Sequence, residues 1–260
     1  MLTYPAINPV AFHVGSWPVY WYGLAYLIGL LLAWILLSFR ARYNQQFTSE
    51  AISDLIFFSA LGIILGGRLG YMIFYDWRML LSQPLVLFQT WKGGMSFHGA
   101  LIGAMLALIW LSFRMKRPFL ELTDFIVPVV PLGLALGRIG NFINDELLGR
   151  PTTLPWGMVF PNGGPLPRHP SQLYEAFFEG LVLFLILWFF SRQPKPLGAV
   201  SGLFLFAYGL FRFSLEFFRE PDIQIGFFWD RFTEGQLLSL PLILIGMMML
   251  VWAYKKKELS

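Results

Sequence analysis

Gly137-Arg138-Ile139-Gly140-Asn141-Phe142-Ile143-Asn144-Asp145-Glu146-Leu147-Leu148-Gly149 sets an arginine, two asparagines and two acids at the end of an otherwise apolar stretch. An arginine at the edge of hydrocarbon is costly unless it faces a cavity, a partner or a headgroup. The reading of this stretch turns on whether the run before it, 119–137, lies in a membrane. The rest of the chain answers that: of its 260 residues 57% are hydrophobic, 18% aromatic and only 13% charged, and the mean hydropathy is +0.61. A water-facing surface does not tolerate that balance, so the chain is an integral membrane protein and the polar end of the run needs a job.

Outward from this stretch, apolar runs near the roughly 20 residues that cross about 30 Å of hydrocarbon fall at 17–38, 52–75, 96–113, 119–137, 173–190, 198–215 and 236–254. The expectation is an all-α fold of seven transmembrane helices, a single polytopic domain over 1–260. Pro128 and Pro131 interrupt the fourth span, which a membrane helix tolerates when neighbours satisfy the freed carbonyls. Between spans four and five, 141–170 holds Pro151, Pro155, Pro161, Pro165, Pro167 and Pro170 with Gly163-Gly164 and reads as an irregular periplasmic loop or head region. No internal repeat is visible. The N-terminus has no basic region before an apolar run and no small-residue cleavage site, so the first span is expected to target the chain.

The net charge of +4 is dispersed between helices rather than gathered on one face, which argues against nucleic acid as a partner. With no cysteine, disulfides, thiolate metal sites and cysteine nucleophiles are excluded together. Arg40 and Arg42, then Arg114, Lys116 and Arg117, then Arg192 and Lys195, then Lys255, Lys256 and Lys257 lie in alternate short connections. Basic residues in short loops stay on the cytoplasmic side, which puts the N-terminus outside and the C-terminus inside. The remaining basic residues, Arg68, Arg78, Lys92, Arg138, Arg150, Arg168, Arg212, Arg219 and Arg231, sit in longer stretches or within spans, several beside acids or glycines.

Three constellations carry chemistry. Arg138 and Asn141, at i and i+3, share a face if the helix continues, and Gly137 and Gly140 let a backbone or ligand approach closely. That suits an anionic headgroup; the alternative is a clasp in which Arg138 meets a carboxylate on another span. Trp91-Lys92-Gly93-Gly94-Met95-Ser96-Phe97-His98-Gly99 opens the third span with a histidine, the side chain that exchanges protons near neutrality; the alternative is an interfacial His98 satisfied by a backbone carbonyl. Tyr208, Arg212 and Glu216 recur every four residues along span six; an Arg212–Glu216 ion pair is the bland reading, but such a pair can also orient the arginine toward phosphate, and both can hold together. Phe217-Phe218-Arg219-Glu220-Pro221-Asp222 ends that span at the interface. Tyr22, in Trp21-Tyr22-Gly23, reads as interfacial belt or as a site residue. Arg68, in Gly66-Gly67-Arg68-Leu69-Gly70-Tyr71, snorkels, bridges helices or touches lipid. Glu175 and Glu179, at i and i+4, would repel if both were charged and unpartnered, so one meets an arginine or carries a proton.

Other chemistries fall away. His13, His98 and His169 lack the aspartate five residues on that a His-x4-Asp acyltransferase needs, the three histidines are too scattered for a His-rich metal site, and Gly94-Met95-Ser96-Phe97 only half matches the Gly-x-Ser-Gly of rhomboid proteases. The spaced aspartates of CDP-alcohol phosphotransferases are missing.

Together, Trp21-Tyr22-Gly23, Gly66-Gly67-Arg68, Gly93 to Gly99, the Gly137 to Gly149 signature, Arg168-His169-Pro170-Ser171-Gln172-Leu173-Tyr174-Glu175, Gly198-Ala199-Val200-Ser201-Gly202 and Tyr208-Gly209-x-x-Arg212 resemble the bacterial prolipoprotein diacylglyceryl transferases, in order and over nearly the whole chain. One departure is a short loop between Trp156 and Arg168, where some members carry an insertion. The resemblance implies transfer of the sn-1,2-diacylglyceryl group from phosphatidylglycerol to the lipobox cysteine thiol of a prolipoprotein, at the outer leaflet of the inner membrane, with release of glycerol phosphate. On that reading His98 is the base for the thiol and Arg138 and Arg212 clamp the phosphate. Tyr22, Asn141, Glu146, Tyr208 and Arg68 contact or orient the lipid, Gly149 shapes the loop, and no metal or cofactor is required. The alternative from another class is a seven-span transporter or receptor for an anionic ligand; the missing repeats and the clustering of polar residues near one face rather than the midplane count against it.

Overall fold

The computed structural model describes residues 2–44, 47–89, 93–221, 226–229 and 231–258; Trp91, Lys92 and Asp222 of the constellations above lie outside them. The chain opens with strand β1 (Leu2–Thr3) and a hairpin of β2 (Val10–Val14) and β3 (Trp17–Tyr20). Helices α1 (Trp21–Asn44), α2 (Ser49–Tyr75) and α3 (Trp77–Ser82) follow, then α4 (Phe97–Met115), α5 (Phe119–Ile126) and α6 (Val130–Ile143). After β4 (Met158–Val159), α7 (Ser171–Glu175) passes through a π-helical turn, Ala176–Val182, into α8 (Leu183–Phe190). The chain continues with α9 (Ala199–Leu215), strands β5 (Phe227–Phe228) and β6 (Phe232–Thr233), and α10 (Glu234–Glu258).

Among the described residues five helices are long and apolar enough to cross a membrane: Trp21–Arg42, Ser49–Tyr75, Phe97–Met115, Ser171–Phe190 and Glu234–Glu258. A sixth arises if α5 and α6, bent by 54° at their junction, form one span; α9, at 17 residues, is shorter. The chain is thus a mostly helical integral membrane protein. Two expected boundaries move. The first span begins at Trp21 rather than 17, because Trp17–Tyr20 pairs with Val10–Val14 as a hairpin, and aromatic residues suit a strand as well as a membrane boundary. The fourth run, expected to end at 137, bends where Pro128 lacks an N–H and Pro131 starts a new helix. It then continues to Ile143, since a helix does not stop where its hydrophobicity does. Arg138 and Asn141 therefore lie on one helical face, and the irregular segment expected from 141 begins at Asn144.

The chain divides into two compact units, residues 34–123 and residues 1–33 with 124–260. In the first, Thr48 caps α2 by accepting from Ala51 N at 3.2 Å, and Ser96 caps α4 by accepting from Gly99 N at 3.2 Å. Gly62, Gly66 and Gly70 of α2 meet Gly99 and Gly103 of α4 so closely that a β-carbon on Gly70 would lie 2.8 Å from the Gly99 backbone. Close backbone approach through glycine is how membrane helices pack where no hydrophobic force separates helix from lipid. In the second unit, Gly202 and Gly209 of α9 meet α10 in the same way, and Leu183, Leu187, Val200 and Ala207 form a core. Asp124 of α5 accepts from Gly198 N (2.6 Å), Ser201 N (2.7 Å) and Ser201 Oγ (2.6 Å), which ties down the start of α9.

Candidate functional site

Four segments of the second unit converge on a cluster of buried charges. Helix α6 supplies Arg138; α7 and the π turn supply Glu175 and Glu179; α9 supplies Tyr208 and Arg212, and the turn after it Glu216 and Arg219. Glu175 is the hub. Its Oε2 lies 2.8 Å from Arg138 Nε, and its Oε1 accepts a hydrogen bond from Arg212 Nη1 at 3.0 Å and lies 3.6 Å from Arg219 Nη1. Arg212 Nη2 sits 2.8 Å from Glu216 Oε2. Glu179 stands further off, 3.5 Å from Arg138 Nη2 and 3.7 Å from Arg212 Nη1. The Glu175 and Glu179 side chains are each 1% exposed, those of Arg138 and Arg212 18% and 15%, so the carboxylates form a floor and the guanidiniums its more accessible surface. Charges this far from water persist only when paired. Both the interhelical clasp on Arg138 and the Arg212–Glu216 pair are present, and the two arginines share one carboxylate.

The signature loop beside this cluster is held in a demanding conformation. Asp145 and Leu147 have φ of 56° and 55°, a region that costs non-glycine residues of order 1 kcal/mol or more and persists where surroundings impose it. The surroundings are explicit: Asn162 N donates to Asp145 Oδ2 (2.6 Å), Gln172 Nε2 to the Glu146 carbonyl (2.5 Å) and Ser171 Oγ to the Leu147 carbonyl (3.1 Å). The exposed Glu146 carboxylate accepts from Asn141 Nδ2 at 3.3 Å and Asn144 Nδ2 at 3.4 Å. Asn141 thus holds Glu146. Gly149 lies against the His169 carbonyl, and Arg168 Nη1 donates to its own carbonyl at 3.0 Å. Tyr4 Oη donates to the carbonyls of Phe142 and Ile143 at 2.8 and 2.9 Å, closing the end of α6; burial, and then the charge of Asp145, pushes its phenol up. Partial burial holds the imidazole of His169 below its usual range, with Nδ1 3.3 Å from Tyr174 Oη.

The remaining sequence candidates divide between the units. The ring of half-buried Tyr22 covers Gly140, and its hydroxyl lies 3.4 Å from that of Tyr26. Tyr208 stacks on Phe204 one turn before Arg212. In the other unit, His98 is exposed in the first turn of α4, its ring edge-on to Phe97. Arg68 is buried and donates to the carbonyls of Gly93, Gly94 (3.1 Å) and Val86 (2.9 Å), so its guanidinium braces the loop that precedes Ser96. Sequence reasoning missed the part of Arg219, whose only signal was a neighbouring acid, and those of Gln172 and Ser171, which lay within a quoted motif but had no assigned role.

Helices long and apolar enough to cross a membrane, with a buried cluster in which Arg138 and Arg212 share Glu175, define a multi-pass membrane protein with a polar site of paired buried charges. Residues 9–252 match the family model described as prolipoprotein diacylglyceryl transferase. The chain is 58% identical over 260 residues to the phosphatidylglycerol–prolipoprotein diacylglyceryl transferase of Coxiella burnetii (strain RSA 331 / Henzerling II), covering 99% of this chain and all of that one. It is 55% identical over 258 residues to the protein of the same name from Pseudomonas aeruginosa (strain UCBPP-PA14), covering 98% and 97%. The chain belongs to the prolipoprotein diacylglyceryl transferase family; it is a transferase, multi-pass in the bacterial inner membrane.

Proposed function

We propose that this protein transfers the sn-1,2-diacylglyceryl group of phosphatidylglycerol to the thiol of a prolipoprotein lipobox cysteine, forming a thioether and releasing glycerol phosphate. The observation that carries the mechanism is the pair of arginines from two helices joined on Glu175, with Nε of Arg138 at 2.8 Å and Nη1 of Arg212 at 3.0 Å from its two oxygens. Guanidinium groups so placed fit a phosphate by the same fork geometry with which they grip a carboxylate.

The chemistry follows. A thiol of pKa about 8.5 must lose its proton and attack the glyceryl carbon while a phosphate oxygen departs and gains charge. Arg138 and Arg212 meet that charge, the kind of preorganised electrostatic help that is commonly the largest catalytic contribution. His98 takes the thiol proton. Tyr22 and Tyr208 contact the lipid, the Asn141–Glu146 pair orients its headgroup, Gly149 keeps the signature loop in shape, and Arg68 enters through the loop it braces. On this reading α5 with α6, and the short α9, both cross the bilayer, giving seven crossings of one polytopic domain. The N-terminus and the 144–170 loop are periplasmic, the C-terminus is cytoplasmic, and the site opens toward the outer leaflet. The family supports this over a transporter or receptor.

Purified protein given phosphatidylglycerol and a lipobox peptide should add a diacylglyceryl mass to the peptide. Arg138→Lys and Arg212→Lys should each lower kcat/KM by about a hundredfold or more, the scale of losing an oriented donor to a developing charge. Unmodified peptide with wild-type protein, or full activity in both variants, would sink the reading; near-wild-type transfer by His98→Gln would remove the base assignment alone.

A further inference from the structure

Glu179 is fully buried, in the π turn, and among the described residues neither of its carboxylate oxygens accepts a hydrogen bond. The groups that face it come from each packed element: Arg138 from α6, Glu175 from α7, Tyr208 and Arg212 from α9, and Arg219 from the turn beyond it. Helix α8 carries no titratable side chain. Arg138, Arg212 and Arg219 bring three positive charges, and Glu175, Glu179 and Glu216 three negative ones, so the fully ionised cluster is neutral.

A phosphodiester carries one negative charge. Placed on Arg138 and Arg212 it would leave the cluster with an uncompensated charge in a poorly hydrated place, which is costly. Adding one proton to a carboxylate restores neutrality. The three candidates are unequal. Glu175 has a hydrogen bond from Arg212 and a 2.8 Å contact with Arg138, and Glu216 has a 2.8 Å contact with Arg212. Among the described residues Glu179 has ion-pair contacts of 3.5 and 3.7 Å only, and it loses least by becoming neutral. We propose that Glu179 is a positioning residue that sets the charge of the phosphate clamp, protonated while Arg138 and Arg212 hold an anionic phosphodiester and ionised when they do not. The inference rests on the clamp reading of the two arginines. It makes headgroup binding a proton-consuming step: one proton passes from solution to the carboxylate as the lipid arrives and returns when the anion leaves.

The test is titration calorimetry of the full chain in phosphatidylcholine nanodiscs with short-chain phosphatidylglycerol as probe, at several pH values and in two buffers of different ionisation enthalpy. Wild-type protein should take up close to one proton per bound lipid. Its Kd should weaken up to tenfold per pH unit across the window where Glu179 is ionised when free and protonated when bound, the slope of a one-proton linkage. Glu179→Gln, with the shape of the neutral acid, should bind as tightly as wild type does at low pH, without the slope and without proton uptake. An unchanged slope in Glu179→Gln overturns the proposal. So does the absence of proton uptake in wild type, a result that needs no variant to fold. Should Arg138→Lys and Arg212→Lys bind the probe like wild type at every pH, the clamp reading itself fails, an outcome distinct from loss of the proton linkage alone.

Discussion

A β-carbon added to Gly149 would lie 2.8 Å from that of His169 and 2.9 Å from the Phe218 carbonyl oxygen. Three backbones meet there, so no rotamer change relieves the clash, and overpacking of this kind costs about 1–3 kcal/mol. Gly149→Ala should therefore shift the signature loop: lipid transfer should fall at least tenfold while helix content by circular dichroism stays at the wild-type level. Activity equal to wild type would mean that the loop's shape does not matter. At this scale the sequence was most readable where a charge broke an apolar pattern, as with Arg138, Arg212, Glu175 and Glu179, because such residues violate the solvent rules of a membrane. It was least readable where a turn brings a residue back into the cluster, as with Arg219.

Among the elements, α9 has the most exposed dependence on a distant partner. Its N-cap is Gly198, with φ of 86° and no side chain to satisfy the first N–H groups. Asp124 of α5 satisfies two of them and the Ser201 hydroxyl. Asp124→Ala should lower stability by about 2–3 kcal/mol, the scale of losing hydrogen bonds to a charged group. Asp124→Asn should cost less, since an amide oxygen still accepts. Thermal unfolding in detergent ranks the two, and an Ala variant as stable as wild type would refute the anchoring role. Hydropathy located most of the helices because length and apolarity leave a mark in composition. It could not see the two-stranded hairpin before α1, the extension of α6 through Arg138, or the π turn that carries Glu179, since each depends on backbone pairing and tertiary contact rather than residue type.

For the whole molecule, the five long apolar helices carry large exposed side chains such as Leu27, Phe113, Leu244 and Met248, which in water would be an aggregation hazard and in lipid are the ordinary surface. The absence of cysteine makes the proposed topology simple to check with single introduced cysteines. Gly15→Cys in the hairpin should react with a membrane-impermeant maleimide in cells with an opened outer membrane, and Lys195→Cys only after the inner membrane is permeabilised; the reverse pattern would invert the assigned orientation. The division into two units, whose limits fall inside α1 and α5, left no trace in composition, because nothing in residue type marks a boundary within a continuous helix. The glycine-to-glycine contact of α2 with α4 has a further meaning. Where Gly62, Gly66 and Gly70 lie backbone against backbone with Gly99 and Gly103, no acyl tail can slip between α2 and α4, so at that level this pair offers a membrane-borne donor no lateral doorway.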